Sequence, residues 1–195
     1  MTARAPDAAQ ARFSAVLLAD LADWSVQLHA RSFTRVSVEM LLRDLRRSVP
    51  SALGYTLALG DAADLARVTI TVADEKLLPA QVGSTITFAL PVVQGTSATA
   101  TFYAAEQQAF DELAVLLAGS PACGPDRVRL DGAPATDVEP GVDGLADHTR
   151  INYAIGILLA RGLSYEESQR YLHRLADHFQ TLEAAADHLL TGVGD

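Results

Sequence analysis

One cysteine in 195 residues leaves no partner for an intrachain disulfide, so the fold must rest on a packed core and a reducing cytoplasm is the simpler compartment. That cysteine, Cys123, lies among Pro121, Ala122, Gly124 and Pro125, a loop-like run with no cation beside it to activate a thiol. Nowhere do eighteen apolar residues follow one another, and Asp20 and Asp23 interrupt the early apolar run; the chain is expected to have no membrane span and no export signal. Positive charge is scarce. Fifteen Lys and Arg face 24 Asp and Glu, for a net charge of −9, which argues against a general binder of nucleic acid or anionic membrane. No glycine-rich phosphate loop follows a strand, and no Ser, His and Asp grouping sits in a nucleophile elbow. No catalytic residue and no cofactor are therefore expected. Beside the pairs Asp147-His148, Asp177-His178 and Asp187-His188 stands His173, but His173 and His178 are five apart where two histidines on one helix would bind a metal at i and i+4, and the other histidines lie near separate helix ends, so no metal site is expected either.

What is present is a core-forming composition, 49% hydrophobic, in a length that fits one or two domains. The acidity is uneven. Residues 1–50 carry seven basic and five acidic side chains, residues 51–144 carry four and twelve, and residues 145–195 carry four and seven. The first 118 residues read as one α+β domain. Apolar Phe13, Leu17, Leu21, Trp24 and Leu28 predict a helix over 8–30, and Met40, Leu41 and Leu45 a second over 37–49, stopped by Pro50. Alternation then predicts strands around Tyr55-Leu57-Leu59, Val68-Ile70-Val72, Ile86-Phe88-Leu90 and Ala98-Ala100-Phe102, with a hairpin turn at 94–97 and a return to helix over 104–117. Such an order gives an antiparallel sheet covered by helices on one side. The other face would bear Thr56, Thr71, Thr85, Thr87, Thr99, Thr101 and Tyr103, and is expected to be solvated with little lid. Residues 119–144, with four prolines and five glycines, have linker composition, with a short edge strand at 127–130.

Residues 145–195 spell three helices with their punctuation. The first carries Ile151, Ala154, Ile155 and Leu158 at helical spacing, with Asp147 placed as its cap and Gly162 as its stop. Ser164 and Glu167 form a capping box for the second, whose apolar stripe is Tyr171, Leu172, Leu175 and Phe179. The third starts at Thr181, repeats Leu182, Ala185, Ala186, Leu189 and Leu190, and stops at Gly192. Three narrow stripes can be buried only against one another, which predicts a three-helix bundle. Gly156, inside the first helix, costs about 1 kcal/mol relative to alanine and lies on a small-residue row with Asn152 and Ala160. The row serves either tight packing of helix on helix or close approach by a partner.

The run from Arg150 to Gly162 (RINYAIGILLARG), followed by Ser164-Tyr165-Glu166-Glu167-Ser168, Tyr171 to Ala176 and Leu182 to Leu190, resembles an ANTAR domain. The resemblance implies a three-helix RNA-binding module acting in transcription antitermination, with paired RNA hairpins as partner. It implies phosphate contacts from Arg150, Arg161, Arg170 and Arg174 and a base stacked on Tyr153. Two positions depart from the family: Ile155 stands where a lysine is common, and Gln180-Thr181 where an asparagine and a basic residue are. The alternative is a protein-protein interaction module that offers the Gly156 row to a partner helix. Phe102 to Glu106 running into Ala109 to Leu113, together with the element order, resembles a GAF sensor domain, which implies signal-responsive control. A homodimer through the helix over 8–30 completes the expectation.

Overall fold

The computed structural model describes residue 19 and residues 35–61, 67–90, 96–120 and 125–192. Most of the helix expected over 8–30, the dimer contact assigned to it, Cys123 and the first half of the 94–97 turn lie outside the described residues, while Thr96 and Ser97 open a strand.

The described chain is α+β: five α-helices and a six-stranded antiparallel sheet. Helix α1 (Arg35–Ser48) precedes β1 (Ala52–Asp61), β2 (Arg67–Ala73), β3 (Ser84–Ala89) and β4 (Thr96–Ala104); α2 (Asp111–Gly119), β5 (Val128–Asp131) and β6 (Gly141–Asp143) follow, and then α3 (Leu145–Ala160), α4 (Tyr165–Phe179) and α5 (Leu182–Thr191). Strand order is β5-β3-β4-β1-β2-β6. The chain divides into two compact units: residues up to 58 with 70–141, and residues 59–69 with 142–195.

In the first unit the alternation works as expected on β3 and β4. Ile86 pairs with Phe102 and Phe88 with Ala100, and all four point into one core. Phe102 is its centre, meeting Phe88 edge-on at 5.1 Å, Tyr55 at 6.2 Å and Phe110 at 6.3 Å between ring centroids. Leu41 and Leu45 of α1 and Leu113 and Leu117 of α2 are buried too. Met40 is not. It is 48% exposed, because successive residues on a helix point about 100° apart and Leu41 takes the inward direction.

Two expectations are corrected here. The helix expected over 104–117 starts only at Asp111: β4 runs through Ala104, Ser84 Oγ donates to the Glu106 carbonyl at 2.8 Å, and Gln108 takes a left-handed φ of 61°, so residues 105–110 form a pinned turn. The threonine-bearing face, expected to be solvated, is covered in part, with Thr56, Thr87, Thr99 and Thr101 half-buried. Thr71, Thr85 and Tyr103 are buried, and Leu77 and Val82 form a small apolar cluster with Tyr103, against which Leu53, Ala73 and Val138 pack. Residues 119–144 hold β5, on the β3 edge as the 127–130 pattern predicts, and β6, and they return over the sheet through a bridge between Leu77 and Val138.

In the second unit α3, α4 and α5 pack on one another. Ile151, Ala154, Ile155 and Leu158 of α3, Leu172 of α4 and Ala185, Ala186 and Leu189 of α5 share one core, with Leu163, Tyr171, Leu175, Phe179 and Leu182 packed against it. The termini follow their sequence signals with one exception. Ser164 caps α4, Thr181 caps α5, and Gly162 takes φ 93° just past α3. Asp147, however, is not the cap of α3. That place is held by Gly144 at φ 76°, where an added methyl would also overlap the Arg67 carbonyl, and Asp147 sits in the first turn.

Candidate nucleic-acid interface

The residues named by the sequence occupy the outer surface of the three helices. Arg170 and Arg174, four residues apart, lie one turn apart on α4, whose start is fixed by the capping box. The Ser164 backbone N–H and Oγ each donate to Glu167 Oε2 at 2.8 Å, and the Glu167 N–H donates back to Ser164 Oγ at 3.3 Å. Those bonds from Ser164, backbone first, hold the Glu167 carboxyl below the usual carboxylate range.

Arg170 and Arg174 line an open concavity of about 400 Å³ with Gly162, Leu163 and Glu167. Arg170 is exposed, and its Nε donates to the Glu166 carbonyl at 3.3 Å. The Arg174 guanidinium lies 5.8 Å from the ring centre of half-buried Tyr171. A planar cation beside an aromatic ring, with a second cation one turn away, is an arrangement suited to a phosphate and its neighbouring base.

The other cations are placed differently. Arg161 is exposed at the end of α3, and its side chain has no hydrogen bond or ion pair with the described residues. Arg150 Nη1 meets Asp147 at 3.1 Å and its Nε lies 3.7 Å from Asp187 on α5, so two carboxylates surround one guanidinium. Of the five residues expected to touch RNA, Arg170 and Arg174 alone share the concavity. Tyr153 is 67% exposed, its ring available for stacking. Ile155, standing where the resembled family commonly has lysine, is core. A cation at that position would have to be buried in the bundle.

The row Asn152, Gly156 and Ala160 is exposed along its length, and a methyl added at Gly156 meets nothing within 4 Å. Packing of helix on helix within the bundle does not use it. Together with exposed Leu145, Tyr153 and Leu159 it gives α3 an outer face free of formal charge.

What sequence reasoning missed is the partner of Arg150. Asp147 lies at i−3 on the same helix, whereas Asp187 reaches Arg150 only through the packing of α5 on α3. On α1, Arg46 pairs with Asp74 at 2.6 Å and Arg47 with Asp44 at 3.3 Å. Among the described residues no three His, Cys, Asp or Glu side chains are grouped to hold a metal, and no helix is long and apolar enough to cross a membrane. Compared with family models, with curated proteins and with solved structures, the chain gives no match.

Proposed function

We propose that the three C-terminal helices form an ANTAR-like module that binds paired hairpins in nascent RNA and acts in transcription antitermination, under the control of a GAF-like sensor domain. The observation that carries this reading is the pair Arg170 and Arg174, both lining an open concavity beside the Gly162-Leu163 turn. In the proposed complex they grip stem phosphates, Arg161 adds a third contact from the end of α3, and Tyr153 stacks on an unpaired loop base. Arg150 joins only by releasing Asp147 and Asp187; surface pairs of that kind are worth about 0–1 kcal/mol each, so the release is affordable, but the local charge stays negative. The mechanism is occupancy: bound protein stabilises the antiterminator fold and so excludes the competing terminator hairpin. The protein acts in the cytoplasm as a homodimer and performs no catalysis.

Titration with a tandem-hairpin leader RNA at low salt tests the reading. Binding clearly tighter than to an unrelated RNA of equal length is expected, and equal affinity for the two would remove the role.

A second reading has its own observation. The uncharged outer face of α3, with open space over Gly156, favours docking of a partner helix. Helix docking through that face would be little affected by salt, whereas phosphate binding weakens steeply as salt rises.

A further inference from the structure

The hydroxyl-bearing face of the sheet is partly covered by a segment that holds on at few points. Of residues 132–140 only Pro134 and Val138 are even half-buried. Leu77 and Val138 exchange two backbone hydrogen bonds, each 2.9 Å long. Lys76, the single lysine of the sequence, meets Asp137 at 2.8 Å and Glu139 at 2.7 Å on the surface. Thr85 Oγ1 donates to the Gly132 carbonyl at 3.2 Å, and Val138 packs on the Leu77, Val82 and Tyr103 cluster.

The hydroxyls beneath are bonded mainly to one another. Tyr103 donates to Thr56 Oγ1 at 3.0 Å, Thr56 and Thr71 are linked at 3.0 Å, and Thr87 and Thr101 at 3.1 Å. Lifting the segment therefore orphans one hydroxyl bond, that of Thr85, and its one side chain packed on the apolar cluster is Val138. The opposite face of the same sheet differs: it buries Phe88, Phe102, Phe110, Tyr55 and several leucines. Regions with few buried apolar contacts and exposed backbone bonds are the ones that open first.

We infer that residues 132–140 form a releasable strap over the hydroxyl-bearing face of the sheet, held chiefly by the Lys76 clip and the Leu77–Val138 bridge. The strap opens without unfolding the sheet. Its clip is ionic and lies on the surface, so salt loosens it. The strap ends where β6 begins, and β6 stays paired beside β2 at the edge of the sheet.

Native-state amide exchange on the full chain, read by NMR at Leu77 and Val138 against Ile86 and Phe102, tests the strap. The account expects Leu77 and Val138 to exchange about tenfold faster or more. Lys76→Met should speed those two amides by a further factor of about three to ten while leaving Ile86 and Phe102 unchanged. Added salt should do the same to the wild type and have little effect on the variant. Exchange of all four amides at one rate, or an equal acceleration of all four by Lys76→Met, would overturn the inference and make the segment an integral part of the domain.

Discussion

A glycine in the middle of a helix carries a standing cost, and at Gly156 nothing inside the bundle requires it, since a methyl there would meet open space. Gly156→Ala should therefore stabilise the helical unit by about 1 kcal/mol, seen as a raised thermal midpoint, while weakening whichever partner approaches the row. A lowered midpoint would mean that the methyl does clash within the protein. At the start of α4 the capping box sets a second expectation. Ser164→Ala should cost about 1 kcal/mol of stability, measured by chemical denaturation. Glu167 adds a pH dependence whose sign follows from its lowered pKa: the folded state holds the proton less tightly than the unfolded chain, so the stabilisation is complete above the ordinary carboxylate range and fades as pH falls through the folded value. The acid midpoint of helix loss should move upward in Ser164→Ala, and an unchanged midpoint would separate the two groups. Such local devices are legible in sequence because their partners lie within one helical turn. Arg150 illustrates the limit. Its i−3 partner Asp147 can be read from spacing, but Asp187 can be found only when α5 is laid against α3.

At the scale of elements, periodicity located α1, β1 to β4 and the three C-terminal helices, and it separated the buried stripe of α3 from its outer face. It failed where chain direction changes. The start of α2 was misplaced because Ala104 to Ala109 has the composition of a helix, while the fold commits Ala104 to β4 and turns at Gln108. The partly covered threonine face was missed for a related reason: the cover comes from Leu77, Val82 and Val138, and residues 132–140 have the composition of a linker. Strand alternation can say which residues share a face, but not whether a distant segment returns to close it. The same elements predict which single core change is worst in the helical unit. Leu172 is the fully buried α4 residue at the shared core, so Leu172→Ala should cost about 2–5 kcal/mol and abolish the cooperative melting of the helices. A loss below about 1 kcal/mol would contradict the assigned packing.

For the whole molecule, charge is the deciding quantity. A chain of net charge −9, with −3 over residues 145–195 from four arginines against seven acidic side chains, cannot hold RNA by its overall field. Any affinity must come from a few cations placed together, and Arg170 and Arg174 are the two that share a concavity. That placement was only partly legible: helical spacing puts the two on one side of α4, whereas their proximity to the Gly162-Leu163 turn depends on how α4 folds back on α3. Few contacts also mean a modest salt slope. With Arg161, Arg170 and Arg174 engaged, the logarithm of affinity should fall with the logarithm of salt at a slope of about −2 to −3.

The most direct measurement is that slope for a tandem-hairpin leader RNA, taken for the wild type and for the double variant Arg170→Gln/Arg174→Gln. The account predicts a slope of about −2 to −3 that falls by about 1.5 in the variant, with affinity lowered across the salt range. A slope near zero in the wild type, or the same slope and affinity in both proteins, would contradict the RNA-binding role and leave the uncharged face of α3 as the functional surface.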